Sequence, residues 1–223
     1  MKIAIAVCLG LLALSSPAMA DAPVAVVEDI QGKVTGAEFM DYVTPRAVIK
    51  IADGGSVVLS YLNSCRRETI TGAGTVVIGT DSSLVDQSVV KAEKTNCDSN
   101  QANATSKDTS GVAATLLRSV DRDKAAALPE PQLTLYGASP FVEAKGRGTL
   151  VVRRLDQAGE RHQIALGGTQ MKGKFVDFAR EDVALVPGGL YAASFKSSQI
   201  VFRVDAQAKP GATPIVGRLL RME

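Results

Sequence analysis

The residues best suited to chemistry are three cysteines and one histidine. Cys8 lies in an N-terminal apolar run, which leaves Cys65 and Cys97 in the rest of the chain. An oxidising compartment makes a disulfide the default for such a pair, and closing a loop of about 30 residues stabilises a fold by roughly 3–4 kcal/mol. A redox pair is the alternative, but the sequence has no Cys-x-x-Cys spacing. We predict a structural disulfide between Cys65 and Cys97.

Catalytic constellations are otherwise missing from the sequence. His162 is the only histidine, so a histidine-based metal site is nearly excluded and a Ser-His-Asp triad would have to use it. Its neighbours, Glu160-Arg161 and Gln163, indicate a solvated histidine at the start of an edge strand. Glycine pairs such as Gly188-Gly189 precede strands and not the helix that would bind a phosphate. We predict no catalytic residue, metal or cofactor. A hydrolase or transpeptidase using Cys65 or His162 is the alternative, and it predicts a free thiol at Cys65.

The first twenty residues have the pattern of a cleaved export signal. Lys2 supplies a positive start, Ile3–Leu14 is apolar, and Ala18-Met19-Ala20 is a small-x-small cleavage site. The apolar run is too short to span a bilayer, which takes about 20 residues. We expect cleavage near Ala20/Asp21, no membrane insertion afterwards, and a soluble protein of the bacterial periplasm or the exterior.

The charge of the chain argues against nucleic acid as a partner. The formal net charge is +2, and removal of Lys2 with the signal lowers it by one. A nucleic-acid binder needs a basic stripe to neutralise phosphates. The basic pairs Arg66-Arg67 and Arg153-Arg154 lie in strand-like patterns, where adjacent side chains point to opposite faces.

Composition divides the mature chain into two β-rich parts, 21–97 and 132–223, both rich in short β-branched runs. Between them, 98–131 is polar and ends in Leu128-Pro129-Glu130-Pro131, which indicates a linker. Within the linker, Val112–Leu128 has apolar residues at helical spacing, typical of a short helix. The predicted fold class is all-β, with two small antiparallel β domains.

In the first domain, strands separated by glycine turns are expected at Val24–Ile30, Ala47–Ile51, Ser56–Leu62, Glu68–Ile70 and Thr75–Ile78. Asp53-Gly54-Gly55 lies between two apolar runs, which favours a hairpin. The runs Val27–Val34 (VEDIQGKV) and Ala47–Leu59 (AVIKIADGGSVVL) resemble the periplasmic FecR-type β domain. That resemblance covers residues 24–80 and implies a small sheet or barrel used in envelope signalling or as a scaffold. FecR regulators carry a membrane helix before the domain, and here a cleaved signal takes its place.

In the second domain, strands are expected at Gln132–Tyr136, Thr149–Leu155, His162–Leu166, Lys174–Phe178, Ala184–Val186, Leu190–Phe195 and Gln199–Val204. Their regular spacing is typical of an immunoglobulin-like sandwich. Leu185–Tyr191 (LVPGGLY) resembles the entry to a late strand in bacterial immunoglobulin-like domains, which implies architecture only. Tyr191 is either a corner tyrosine that bonds backbone or an ordinary half-buried aromatic.

One aromatic group lies in a loop-like stretch, at Phe39, Met40 and Tyr42. It is either a plug on one end of the first domain or an exposed contact patch, and the plug is favoured. Tandem β domains without a catalytic set favour a non-catalytic envelope protein that acts as an interaction or signalling accessory or scaffold. Its expected partner is another envelope or membrane protein. The alternative is a binding module for a small molecule, glycan or cell-wall polymer, which would need a concave groove with clustered aromatics.

Overall fold

The computed structural model describes residues 21–99, 128–167, 171–172 and 174–222. Across these residues the regular structure is β-strand with short 3-10 turns, which confirms the predicted all-β fold. No helix in this part of the chain is long and apolar enough to cross a membrane. The predicted signal peptide (1–20) lies outside the described residues, as does the predicted helix up to residue 127.

Two sheets form the first sandwich. Its strands are β1 (Ala25–Gln31), β2 (Val34–Thr35), β3 (Tyr42–Val43), β4 (Val48–Ile51), β5 (Ser56–Tyr61), β6 (Arg66–Thr71), β7 (Gly74–Ile78), β8 (Ser83–Asp86) and β9 (Val89–Lys94). The first sheet has the order β3-β1-β5-β6-β9, and the second has the order β2-β4-β7-β8. Valine, isoleucine and leucine alternate with polar residues along these strands, and their apolar faces enclose one core that contains Ile49, Leu59 and Ile70.

The strands of the two sheets in the first sandwich follow one another in matching order, because the chain bends from one sheet directly into the other. β1 leads into β2, β4 into β5, β6 into β7 and β8 into β9, and neighbours in one sheet are neighbours in the other. The bends lie side by side: the Gly72 N–H donates to the Gly55 carbonyl over 3.0 Å, and the Ser88 hydroxyl donates to the Gly72 carbonyl over 2.9 Å. We call this row of bends the corner line.

The corner line corrects the prediction of a hairpin at Asp53-Gly54-Gly55. β4 and β5 belong to different sheets, so this turn is a bend between sheets. Glycine is needed here for space as well as for backbone conformation. A Cβ on Gly32, whose φ is +69°, would lie 3.0 Å from the Gly55 Cα.

The second sandwich also has two sheets. Its strands are β10 (Leu133–Gly137), β11 (Phe141–Ala144), β12 (Gly148–Arg154), β13 (Arg161–Leu166), β14 (Met171–Lys172), β15 (Phe175–Asp177), β16 (Leu190–Phe195), β17 (Ser198–Lys209) and β18 (Leu219–Met222). The sheet orders are β10-β17-β16-β12-β13 and β14-β15-β11-β18. The pairs β10–β17 and β11–β18 are parallel, and the other pairs are antiparallel. The core contains Leu150, Phe178 and Phe202.

The predicted strand at Ala184–Val186 is wrong, because this segment is a loop. The Val183 N–H donates to the Phe178 carbonyl and the Leu185 N–H to the Ala138 carbonyl, so the segment bridges loops and does not follow one ladder. Conversely, β11 and β18 were not predicted. Each has only four residues and is buried along most of its length, so neither shows the alternation of a half-exposed strand.

A third apolar cluster joins the two sandwiches. Val26, Met40 and Leu62 from the first pack against residues of the second, including Phe141 and Val216. The short 3-10 helix Ile215–Gly217 approaches the end of the first sandwich so closely that a Cβ on Gly217 would lie 2.7 Å from the Asn96 carbonyl oxygen. The two sandwiches therefore form one body.

Candidate functional site

A groove runs along this joint between the sandwiches. It consists of two depressions that share three lining residues, with volumes of about 230 Å³ and 370 Å³. The smaller is lined by Glu28, Asp29, Phe39, Phe141, Phe175, Asp177, Arg180 and Ile215. The larger shares Glu28, Asp29 and Ile215 and adds Arg67, Ala212, Thr213, Pro214 and Arg218. We call the two together the junction groove.

A β-bulge in β1 brings two consecutive acids to the groove. The pairing of β1 with β5 shifts register between Val27 and Asp29, which leaves Glu28 as the extra residue. Consecutive residues of a regular strand point to opposite faces, but the bulge lets both Glu28 and Asp29 line the groove. Two acids in an otherwise apolar strand are the sequence signal for this site, and sequence analysis treated them only as part of a family motif.

Glu28 ties the two sandwiches together. One carboxylate oxygen accepts from Arg67 Nε at 2.8 Å, and the other accepts from the backbone N–H of Val216 at 2.9 Å. Only 4 % of the Glu28 side chain is exposed. A buried carboxylate is costly unless it is paired and hydrogen-bonded. The pair with Arg67 lies within the first sandwich, whereas the hydrogen bond from Val216 forms only while the second sandwich is docked.

On the opposite wall, Arg218 holds the loops that frame the groove. It is buried and donates to the carbonyls of Ser139 and Thr213, and it pairs with Asp177 at 2.5 Å. Its guanidinium also lies 5.5 Å from the Phe141 ring centroid. The carboxylate of Asp177 is therefore engaged by an arginine.

The three aromatic-loop residues predicted as a plug or a contact patch lie at the joint. Met40 is 2 % exposed, and Phe39 and Tyr42 are half-buried against the third cluster. The Tyr42 hydroxyl donates to Glu143 at 2.7 Å, and the Arg221 guanidinium lies 4.7 Å from its ring centroid. The loop thus contacts the second sandwich of its own chain, and Phe39 alone of the three lines the groove.

The predicted disulfide is present. Cys65 and Cys97 are bonded, with their Cα atoms 5.5 Å apart. The bond joins the turn after β5 to the segment that follows β9, and Cys97 packs against the joint. Cys65 is not a free thiol, which removes the basis for a cysteine hydrolase.

A second polar cluster surrounds Tyr191, which is fully buried. Its hydroxyl accepts from the Val186 N–H at 2.9 Å and donates to Glu160 at 2.7 Å, and burial raises its pKa. The hydroxyl thus bonds backbone, as a corner tyrosine would. His162 Nε2 lies 3.3 Å from the other oxygen of Glu160, on the outer strand β13.

Beside Tyr191, Arg154 donates two hydrogen bonds, of 2.9 and 3.1 Å, to the carboxylate of Asp156. This ion pair lowers the pKa of Asp156 to about 2. Each polar side chain of this cluster therefore has a structural partner. The cluster closes the β12–β13 turn onto the Leu185–Gly189 loop and does not hold a group poised for reaction.

The chemistry of the junction groove is that of recognition. Three phenylalanine rings line its smaller part, and Arg180 is exposed at its rim with no side-chain partner among the described residues. The carboxylates of Glu28 and Asp177 are neutralised by Arg67 and Arg218. The groove therefore offers an apolar floor with one available cation and the carboxylate of Asp29.

No protein-family model, curated protein or solved structure matches this chain. The resemblances to FecR-type and immunoglobulin-like domains therefore remain predictions.

Proposed function

We propose that this chain is a non-catalytic exported protein of the bacterial envelope that binds another envelope protein along the junction groove. The observation that carries the proposal is that both sandwiches build one continuous groove and are fastened to each other beneath it. The Val216 N–H makes that fastening with a buried hydrogen bond to Glu28, whose other carboxylate oxygen accepts from Arg67 of the first sandwich. A groove with fixed walls lets a partner bind without first ordering the site.

The dimensions of the groove favour a protein segment over an enclosed small ligand. Small-molecule pockets usually measure about 300–1,000 Å³ and bury most of the ligand. The phenylalanine-lined part here measures about 230 Å³, below that range, and charged side chains such as Arg67 and Arg218 line the larger part. An apolar side chain of a partner fits the space between Phe39, Phe141 and Phe175, while an acidic neighbour would pair with Arg180. Buried apolar anchors with a charged rim are typical of protein interfaces.

Export supplies the setting for this function. The Cys65–Cys97 disulfide and the lack of a membrane-crossing helix among the described residues fit an exported protein. The signal-like sequence of residues 1–20 supports the periplasm or the exterior as the destination.

The second candidate is a binding module for a small molecule or glycan. The clustered phenylalanines favour it, since aromatic rings also stack on sugars and apolar ligands. In that case the groove would hold the ligand directly, and the same residues would form its wall.

Photo-cross-linking in the native host separates the two candidates. A photoreactive amino acid would replace Arg180 at the groove, and a matched control would replace Gln157, which is exposed in the β12–β13 turn. We expect one envelope protein to be captured at position 180 and not at position 157. Capture of a glycan or small molecule at position 180 supports the second candidate, and equal capture at both positions rejects the groove as the site.

A further inference from the structure

The outer strand β9 is exposed along its whole length. All six of its residues are exposed, including Val89 at 69 % and Val90 at 38 %. Among the other outer strands of the described sheets, β10 and β13 bury alternate residues, β18 is mostly buried, and β8 alternates half-buried with exposed residues. The outer strands β2, β3 and β14 have two residues each. An exposed edge with apolar residues is a template for another strand.

Hydrogen bonding to β6 determines which backbone groups of β9 are available. The Thr95 N–H donates to the Cys65 carbonyl over 2.9 Å, and the same register continues from Lys94 opposite Arg66 to Val89 opposite Thr71. In an antiparallel ladder, successive residues direct their N–H and C=O groups to alternate sides. The backbone N–H and C=O groups of the odd-numbered residues of β9 therefore form hydrogen bonds with β6. Those of Val90, Ala92 and Lys94 point outward, away from the sheet.

The charges of β9 then select one partner and one register. We propose that β9 pairs antiparallel with β9 of a second copy, about a two-fold axis at Ala92. This register bonds Ala92 to Ala92 and Val90 to Lys94, which uses every outward backbone group of the strand. It also places Lys91 opposite Glu93 of the second copy, twice by symmetry.

Neighbouring registers of this pairing are less favourable, because they oppose like charges or backbone groups that are already hydrogen-bonded. A shift of two residues in one direction opposes Lys91 to Lys91, and in the other direction it opposes Glu93 to Glu93. A shift of one residue would present backbone groups that already bond β6. Lysine on an edge strand commonly blocks pairing, but here an acid two residues further on makes the strand complementary to itself.

The existing contacts of these two side chains are compatible with the pairing. Glu93 accepts from Arg67 at 2.8 Å, and half of its side chain is still exposed. A carboxylate has two oxygens, so Glu93 can accept from Arg67 and also from Lys91 of the second copy. This inference does not depend on the proposed function, because β9 lines neither part of the junction groove.

Charge reversal tests the pairing in solution. We expect the oxidised chain from Asp21 to show a mass in light scattering that rises from monomer to dimer across a micromolar concentration series. Lys91→Glu and Glu93→Lys should each raise the dimer dissociation constant about tenfold or more, since both symmetric pairs become repulsive. A mixture of the two variants should form a heterodimer, because every opposed pair is then attractive. A strictly monomeric chain overturns the proposal, and so does a dimer that neither variant weakens.

Cross-linking tests the register independently. Residues in a hydrogen-bonded antiparallel pair have Cα atoms about 5.5 Å apart, a distance that a disulfide spans. Ala92→Cys should therefore give a covalent dimer under mild oxidation, with Cys65–Cys97 intact. Val90→Cys is the matched control and should give none, since it faces Lys94. Equal cross-linking of the two variants contradicts a two-fold axis at Ala92.

Discussion

Replacing Glu28 with alanine should destabilise the protein far more than replacing Glu93, although both carboxylates accept from Arg67. Glu28 is almost fully buried, and half of the Glu93 side chain is exposed. Removing one partner of a buried pair costs about 3–5 kcal/mol. The remaining bond between Arg67 and Glu93 reduces that cost, whereas the Val216 N–H left without its acceptor adds to it, at about 1–3 kcal/mol for a buried unsatisfied group. We expect about 3 kcal/mol for Glu28→Ala and less than about 1 kcal/mol for Glu93→Ala, as for other exposed ion pairs.

Urea unfolding of the oxidised chain from Asp21, followed by circular dichroism, measures both free energies. Glu93→Ala is the control, since it removes a carboxylate from the same arginine without opening the joint. Because Glu28 also bonds the second sandwich, its loss should separate the unfolding of the two sandwiches and broaden the transition. Equal costs for the two variants, or a sharp transition in both, would refute the argument that Glu28 couples the sandwiches.

Three further outcomes are expected. Replacing both Cys65 and Cys97 with serine should lower the unfolding free energy by about 3–4 kcal/mol in denaturant titrations, and a loss below about 1 kcal/mol would contradict the structural role. Gly36→Ala should destabilise more than Gly72→Ala in the same assay: both have φ near +90°, but only at Gly36 would a Cβ lie 2.3 Å from a carbonyl oxygen. The lowered pKa of Asp156 contributes stability that is complete above its unfolded pKa of about 3.9 and is lost as the pH falls towards about 2. Asp156→Asn should flatten that part of the stability curve in acid titrations, and an unchanged curve would show that the ion pair does not act in this way.

The sequence predicts much of the strand framework because strands with one buried face alternate in polarity. β5, β13 and β16 lie close to their expected positions. β11 and β18 are buried along most of their length, which removes the alternation that identifies a strand. The pairing of strands is less predictable than their positions, because local sequence does not determine which strands become neighbours. Asp53-Gly54-Gly55 has the composition of a hairpin turn, and only the competition between neighbouring strands makes it a bend between sheets.

The groove was less predictable than the strands. Its charged residues become informative only through long-range contacts, such as Glu28 with Val216 and Asp177 with Arg218. The disulfide was predictable, since the sequence offers one cysteine pair beyond the predicted signal and the predicted compartment favours its oxidation. The bulge at Glu28 has no local signature, because it depends on the register that β5 imposes on β1.

The corner line has a consequence for how the chain acquires its structure. In the first sandwich, paired residues lie fewer than about 40 positions apart in the chain, as Ala25 and Tyr61 do, which limits the loop entropy lost before each contact forms. The second sandwich must instead join β10 to β17 and β11 to β18, which lie far apart in the chain. We expect the first sandwich to fold early, because the polypeptide emerges with its N-terminal part first. Its finished surface would then provide the template on which the slower second half closes.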